Sequence, residues 1–292
     1  IPPYLTANFS LHPGKNTEAA AIIRSVFMEE MLHMTLAANL LAAVDGRAKL
    51  GRDHIPVYPL RLEFDGAPFH DREVDIHLAR FSSETLLTFL QIELPANFPP
   101  APGALKTPEI AVPGFTIGEF YAGIKDDLAH LCREHGEKAV FCGDRKRQVS
   151  EEYYWSGGGR PIKVVDLASA NKAIDVICDQ GEGADGTILD DDRHFFGQPE
   201  EVAHYFRFNE IYVGRRYRPT DHIHDAPSGA PLPVDYNAVY PLKPDCKAAD
   251  FCGDAQLTAL NDKFNFIYSL MLAQLEEGFG GNPAVFYTAI MN

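Results

Sequence analysis

The chain has 292 residues, of which 46% are hydrophobic, enough to bury a sizeable core in one large domain or two small ones. Its 41 acidic residues outnumber its 26 Lys and Arg residues, and the net charge of −15 argues against nucleic acid or an anionic membrane as a partner. The sequence has no run of 18 apolar residues, so no membrane span is predicted. Its five cysteines include no Cys-x-x-Cys pair, which favours a reducing cytoplasm.

Residues 1–11 read as the end of an apolar helix, so we expect the numbering to begin inside the first helix. A turn over residues 12–16 leads into a long helix predicted over 18–43. Because the connection is short, the two helices are expected to be antiparallel neighbours, as in the first hairpin of a helical bundle.

The long helix carries two polar residues in the middle of an apolar stripe. Glu30 and His33 follow Ile23 and Val26 and precede Ala37 at heptad spacing. A buried carboxylate is destabilising unless it is paired, hydrogen-bonded or bound to a metal. The helical Glu-x-x-His unit supplies ligands to iron and manganese sites in four-helix bundles. This helix therefore indicates a metal site, although the short pattern alone also occurs by chance.

Residues 45–114 are rich in proline and lack long periodic segments, which predicts a long crossover rather than a second core. Within the crossover, Ser82 opens a short helix that Pro95 ends, and Glu93 lies with the apolar face of that helix. Glu93 is either a carboxylate bonded to backbone at the helix end or a metal ligand, and the first interpretation is favoured.

The next long helix is predicted from Thr116 to about Glu134, with Tyr121 in its core stripe. Thr116 and Glu119 match a capping box, in which the Glu119 carboxylate bonds back to the start of the helix. Helical spacing also puts Glu119 away from the core stripe. Spacing alone therefore favours the cap over a metal ligand at Glu119.

The middle of the chain is predicted to be irregular before helices resume. Residues 148–155 and 162–165 resemble two strands joined by a glycine turn, which predicts an irregular hairpin. A helix follows over 169–180 and breaks at residues 181–183. The acidic loop 190–192 beyond the break is expected to be solvated.

A second Glu-x-x-His pair lies in the segment 199–211, which we interpret as a further helix. Glu201 and His204 fall in an apolar stripe with Phe208. Two such pairs, far apart in the chain and both in core stripes, arise by chance much less often than one. The last helix, predicted over 257–277, has an apolar face without a ligand pair and is expected to pack on the bundle.

Five segments together carry a resemblance to a known family: Ile1–Ala7, Glu30–Leu41, Thr116–Tyr121, Gln180–Gly183 and His204–Phe208. They resemble the ferritin-like iminophenyl-pyruvate dimer synthase domain, which is named for the enzyme of violacein biosynthesis that oxidatively couples two imines of aromatic 2-oxo acids. The resemblance covers residues 1–215 as a metal-binding bundle. Residues 216–292 are expected to pack on that bundle, as a loop and a helix of the same domain.

The resemblance implies an all-α fold, a ferritin-like four-helix bundle with a long crossover, additional loops, a small β-hairpin and an extra C-terminal helix. It also implies non-haem iron, about one or two ions per chain. Glu30, His33 and His204 carry over directly to ligand positions of the family, and Glu201 fits the same geometry.

The remaining ligand positions stay open. Glu119 matches the third-helix carboxylate of the family, which revives it against the capping interpretation. Glu182, at the helix break, competes with Glu201 for the last ligand position. The resemblance further implies a first-helix carboxylate, which is expected a few residues before Ile1.

The leading functional hypothesis is an iron-dependent oxidoreductase that acts on an amino-acid-derived aromatic imine or a related secondary-metabolite precursor. Tyr121 and Tyr205 are candidates for orienting the substrate or carrying a radical, although packing is the simpler explanation of Tyr121. The alternatives are an iron-binding or ferroxidase protein without an organic substrate, and a binding protein with a degraded site. The expected partner is a small molecule, and a homo-oligomer is compatible with the sequence.

Overall fold

The computed structural model describes residues 1–61, 63–64, 67–68, 75–95, 116–154 and 157–291, and these residues are mostly helical. The part of the predicted crossover beyond Pro95 therefore lies outside the described residues. The helices are α1 (Pro2–Phe9), α2 (Thr17–Ala43), α3 (Ser83–Ile92), α4 (Ile117–His135), α5 (Glu137–Val140), α6 (Leu167–Glu182), α7 (Asp192–Phe196), α8 (His204–Val213), α9 (Ala255–Gly280) and α10 (Ala284–Met291), with short 3-10 helices at Arg145–Arg147, Ala184–Gly186 and Ala248–Phe251.

The chain divides into two compact units. Unit 1 comprises Ile1–Met31, Tyr58–Asp126 and Ile174–Pro244, and unit 2 comprises Leu32–Val57, Asp127–Ala173 and Asp245–Asn292. The boundaries fall inside α2, α4 and α6, so each of these helices contributes residues to both units. The predicted arrangement of residues 1–215 and 216–292 stays a prediction.

Helix α2 is buried on more than one face. Val26, Leu32, Thr35 and Ala38 are all buried, and at about 100° per residue their side chains point all round the helix, which no single apolar stripe explains. The helix therefore behaves as a central element, and its polar side chains have to be satisfied inside the protein. Its buried polar residues include Glu29, His33, Thr35 and Asn39.

Unit 1 has an aromatic core in which α3 packs against α8. The Phe89 ring of α3 lies 5.1 Å from the Phe208 ring of α8, and Tyr4 meets Phe89 edge to face at 4.6 Å. Helix α3 begins after Ser82, where the sequence predicted a helix start, and the Ser82 hydroxyl accepts a hydrogen bond from the Thr85 N–H.

Along the chain, two small antiparallel strand pairs come after α2 and before α3. Strand β1 (Leu60–Arg61) pairs with β4 (Asp75–Ile76), and β2 (Glu63–Phe64) pairs with β3 (Ala67–Pro68) in a hairpin. The prediction of a hairpin over 148–165 was wrong, because the described residues of that segment form no strand. Trp155 and Ser156 lie outside the described residues.

Side-chain amides take the place of the predicted ladder in unit 2. The Gln148 side chain accepts a bond from the Val164 N–H at 2.8 Å and donates to the Val164 carbonyl at 2.7 Å. Asn39 holds Val149 in the same way, with both bonds at 2.9 Å, and also donates to the Ile162 carbonyl. Backbone groups that a sheet would have paired are thus satisfied locally.

The predicted helix over 199–211 begins later than expected. Residue Val202 forms an isolated antiparallel bridge with Leu189, and the Asp190 N–H donates to the Glu201 carbonyl at 2.9 Å. These bonds hold residues 201–203 extended, so α8 begins only at His204. The prediction of Glu201 in a helical turn before His204 was therefore wrong.

The C-terminal region has one more helix than predicted. Helix α10 packs on α9 in unit 2, where the Phe279 and Phe286 rings lie 5.3 Å apart. The predicted apolar face of α9 is largely exposed instead of buried: Leu260 and Phe264 each keep 63% of their surface in solvent. Among the described helices, none combines the length and apolar character needed to cross a membrane.

Candidate metal centre

Three of the predicted ligands converge. Ligand atoms of Glu30, His33 and His204 all lie within 4.8 Å of one another. Helix α2 runs without interruption through Glu30 and His33, so the i, i+3 spacing places both side chains over one turn. His204, the first residue of α8, is fully buried, and its Nδ1 atom lies 3.3 Å from Glu30 Oε1.

A third carboxylate reaches the same imidazole. Glu93, at the C-terminal end of α3, is 6% exposed, and its Oε2 atom lies 3.5 Å from His204 Nδ1. Its other oxygen accepts a 2.5 Å hydrogen bond from the Tyr4 hydroxyl. The favoured interpretation of Glu93, a carboxylate bonded to backbone, was incomplete because its partners come from distant parts of the chain.

The other ring nitrogen of His204, Nε2, contacts a buried ion pair between Glu29 and Arg207. Its Nε2 atom lies 2.9 Å from Glu29 Oε2, and the other oxygen of Glu29 accepts a 2.8 Å bond from Arg207 Nη1. A carboxylate can only accept, so the hydrogen in the Nε2 contact belongs to the imidazole. Nδ1, on the other side of the ring, faces Glu30 and Glu93, and it offers a lone pair to a metal ion only once its own hydrogen has left.

The electrostatics of this cluster favour positive charge at His204. Burial lowers the pKa of His204, but the neighbouring carboxylates, Glu93 first among them, raise it well above its ordinary value. Burial raises the pKa of Glu29, but the interactions with Arg207 and His204 outweigh burial and lower the pKa to about 2. Glu29 is therefore ionised at neutral pH, and Glu30 and Glu93 face an imidazole that readily carries charge.

The Arg207 guanidinium extends the network away from His204. Its Nη2 atom lies 3.4 Å from Asp190 Oδ2 and 3.4 Å from Glu201 Oε2. Asp190 is 2% exposed and Asp192 is 5% exposed, so the acidic loop expected to be solvated is largely buried. Asp192 accepts a 2.9 Å bond from the Gln180 side chain. Burial, the largest cause, raises the pKa of Asp190 to about 7 and that of Asp192 to about 6.

Glu201 and Glu119 lie apart from the three converging residues. The Glu201 side chain is 60% exposed and faces Arg207. Glu119 is exposed and forms the capping box: its carboxylate accepts a 2.8 Å bond from the Thr116 N–H, and the Glu119 N–H donates to the Thr116 hydroxyl. Spacing alone had favoured this cap.

Glu182, the last residue of α6, contacts the start of α4. Its Oε1 atom accepts a 2.7 Å hydrogen bond from the Gly118 N–H. A Cβ atom at residue 118 would lie 2.5 Å from that oxygen, so glycine permits the close approach. The carboxylate thus complements the positive end of α4. As ligands, Glu119, Glu182 and Glu201 stay predictions.

The two tyrosine candidates have different surroundings. Tyr121 is half-buried, and its pKa is raised by burial and then by the negative charge of Glu30. Tyr205 is 3% exposed and packs edge to face on Phe206 in the core of unit 1. Burial alone raises the pKa of Tyr205 to about 12.

The donor set suits a divalent transition metal. Carboxylate oxygens and imidazole nitrogens bind iron, manganese and zinc, and the three ligand atoms are close enough to share one ion. The ordered partners of His204 fix the direction of its ring, which is the supporting arrangement that metal-bound histidines use. The helical fold and this cluster define a class: helical proteins with a carboxylate and histidine centre.

The chain belongs to the ferritin-like family. The family model described as Ferritin-like matches residues 1–213. A crystal structure of a ferritin-like protein from Caulobacter vibrioides, determined at 1.95 Å, superposes with a TM-score of 0.51 at 19% identity, covering 99% of this chain and 85% of the other. The predicted all-α, ferritin-like fold is therefore confirmed.

A second similar protein is a synthase with a much longer chain. The chain is 24% identical over 277 residues to the dichlorochromopyrrolate synthase of Lentzea aerocolonigenes, an alignment that covers 88% of this chain. It covers only 24% of that synthase, so the chain spans about a quarter of the length of this relative.

Proposed function

We propose that the chain holds iron at Glu30, His33 and His204, with Glu93 as a further carboxylate, and oxidises a small organic substrate. The observation that carries this proposal is the convergence of three ligand atoms within 4.8 Å. Membership of the ferritin-like family supports the same conclusion. Iron held by carboxylates and imidazoles supplies redox chemistry with dioxygen or peroxide.

The chain's own residues prepare the centre for that chemistry. Glu29 accepts the Nε2 hydrogen of His204 and so keeps Nδ1 directed at the ligand carboxylates. Tyr4 holds one oxygen of Glu93 through its 2.5 Å bond and leaves the other near His204. Tyr121, whose phenol stays protonated beside Glu30, is the residue we assign to orienting the substrate.

The proposed substrate is an amino-acid-derived aromatic imine or a related secondary-metabolite precursor. The support is the similarity to a protein named dichlorochromopyrrolate synthase, together with the sequence resemblance described above. Because the chain spans about a quarter of that relative, the reaction of the whole relative is not transferred, only the class of substrate.

The experiment loads the purified protein anaerobically with ferrous iron, adds indole-3-pyruvate with ammonium as the source of an aromatic imine, and then admits air. Oxygen uptake and coupled products are followed by electrode and mass spectrometry. We expect iron-dependent consumption of both oxygen and imine in the wild type, and loss of both in His204→Ala. Glu119→Gln, at the exposed cap, serves as the matched carboxylate control and should retain activity.

Two results would overturn the proposal in different ways. Oxygen uptake driven by ferrous iron alone, without imine consumption, would favour the ferroxidase alternative. Loss of activity in Glu119→Gln with retention in His204→Ala would move the centre away from the cluster described here.

A further inference from the structure

The C-terminal end of α6 contains the segment Gln180–Gly183, one of the five that carry the family resemblance. Three of its residues have a role in the fold. The side chains of Gln180 and Glu182 form hydrogen bonds to other parts of unit 1, and Gly183 has a left-handed backbone that favours glycine. Gly181 has no such role, because its backbone is helical and glycine is unfavourable in a helix.

Gly181 is buried, yet the space beside it is open. A Cβ atom at residue 181 would lie 3.7 Å from Glu93 Oε2, which is an ordinary van der Waals distance. Leaving aside the chain neighbours of Gly181 and the backbone of its helix, no other heavy atom of the described residues lies within 4 Å of that position. An alanine would therefore fit without a clash and would favour the helix. Packing within the described part of the chain does not explain the glycine.

The open space lies next to the candidate metal centre. The same Glu93 oxygen lies 3.5 Å from His204 Nδ1, which also faces Glu30 Oε1 at 3.3 Å. A group that enters the space beside Gly181 would therefore contact one of the proposed ligand carboxylates. A side chain at residue 181 would take the place of that group.

The oxygen that borders the space determines which chemical group fits there. Glu93 Oε1 already accepts the bond from the Tyr4 hydroxyl. Oε2 has two lone pairs, so it can serve the centre with one and accept a hydrogen bond with the other. The nitrogen of an imine or an amine can donate that bond. The keto oxygen of a 2-oxo acid can only accept, and against a buried carboxylate it would lack a donor.

We propose that Gly181 is a specificity-determining residue, which leaves room for the imine nitrogen of the substrate to donate a hydrogen bond to Glu93 Oε2. This role of Gly181 rests on the proposed function and deepens it, since it names the atom by which the protein distinguishes an imine from the parent 2-oxo acid. A methyl group at residue 181 should already weaken binding, and a larger side chain should weaken it more.

The test uses zinc-loaded protein, because zinc has no redox chemistry and the probes are not consumed. The probes are tryptamine, a stable amine, and indole-3-acetone, a ketone with the same ring system, and calorimetry measures both dissociation constants. The wild type should bind tryptamine about tenfold or more tightly than the ketone. Gly181→Ala should weaken tryptamine binding about tenfold, and Gly181→Leu should weaken it further. Plasma mass spectrometry should show the same zinc content in all proteins.

Gly123→Ala is the matched control. Gly123 is also a helical glycine, in α4, but it is exposed, and no heavy atom of the described residues lies within 4 Å of a Cβ atom there. This variant should bind tryptamine like the wild type. Both alanine variants should melt at the wild-type temperature or above it, because alanine favours a helix.

The possible failures are distinguishable. If zinc is bound but the wild type binds no tryptamine, or Gly181→Leu binds it as tightly as the wild type, the role of Gly181 is overturned and the proposed function stands. A lower melting temperature of Gly181→Ala would assign the glycine to packing and also overturn that role. A wild type that takes up no metal would overturn the proposed function, and the role of Gly181 with it.

Discussion

The Nε2 atom of His204 lies 2.9 Å from Glu29 Oε2, and Glu29 directly precedes the predicted ligand Glu30 in α2. Two adjacent carboxylates therefore have different tasks: one bonds the outer nitrogen of His204 while the other approaches its inner nitrogen at 3.3 Å. Their separation by one residue turns them to different sides of the helix.

Replacing Glu29 should destabilise the fold. Glu29→Ala leaves Arg207 and His204 without their shared carboxylate inside unit 1, which should cost about 3–5 kcal/mol. Glu29→Gln keeps the volume and one acceptor and should cost less. Urea unfolding measures both, with Glu18→Ala, in an exposed pair with Arg216, as a control expected to cost less than about 1 kcal/mol. Equal losses for Glu18→Ala and Glu29→Ala would contradict the assignment.

The bond between Tyr4 and Glu93 should contribute measurably to stability. Tyr4→Phe keeps the ring in its aromatic cluster but removes the donor to a buried carboxylate, which should cost about 1.5–3 kcal/mol. Tyr240→Phe, at a half-exposed tyrosine, should change the free energy of unfolding by less than about 0.5 kcal/mol. If the free energy of unfolding of Tyr4→Phe equals that of the wild type, the bond contributes nothing to stability.

Stability of the metal-free protein should fall as pH rises from 5 to 8. Asp190 and Asp192 have pKa values raised by burial to about 7 and about 6, so the folded state binds their protons more tightly than the unfolded chain does. Their stabilisation is complete below the unfolded pKa and is lost as pH passes through the folded values. Urea unfolding across this range should show a shallower slope in Asp190→Asn. An unchanged slope would assign the pH dependence to other groups.

Glycine at the end of α6 should be indispensable. Gly183 has φ +93°, and a Cβ atom there would lie 2.2 Å from the Thr187 carbonyl oxygen. Gly183→Ala should therefore destabilise the protein by about 2–4 kcal/mol, since a backbone clash adds to the left-handed strain. Gly186→Ala is the matched control: φ is +73° but the space is open, so only about 1–2 kcal/mol is expected. Equal losses of melting temperature in Gly183→Ala and Gly186→Ala would show that the clash with the Thr187 carbonyl oxygen does not destabilise the protein.

The sequence predicted the central part of the site because that part rests on local spacing. Glu30 and His33 are neighbours on one helix, and His204 stood out in an apolar stripe, so helical periodicity was sufficient. Glu201 was misplaced because a long-range bridge between Leu189 and Val202 overrides the local helical pattern. No local spacing predicts such a bridge.

The supporting residues were missed for a related reason. Glu29 was not singled out because α2 was interpreted with one apolar stripe, whereas the helix is buried on several sides. Arg207, in the turn after His204, was a usable signal, since a buried arginine requires buried carboxylates. The link between Tyr4 and Glu93 spans 89 positions and depends on how α1 and α3 pack.

Whether Glu30, His33 and His204 hold iron is measured most directly as the metal content per chain, by plasma mass spectrometry. The protein should be expressed in iron-rich medium and purified without a metal-chelating tag. We predict about one or two iron ions per chain in the wild type, with loss in the His33→Ala, His204→Ala double variant and retention in Glu201→Gln. A wild type without metal, or a double variant that keeps its iron, would show that these residues do not hold iron.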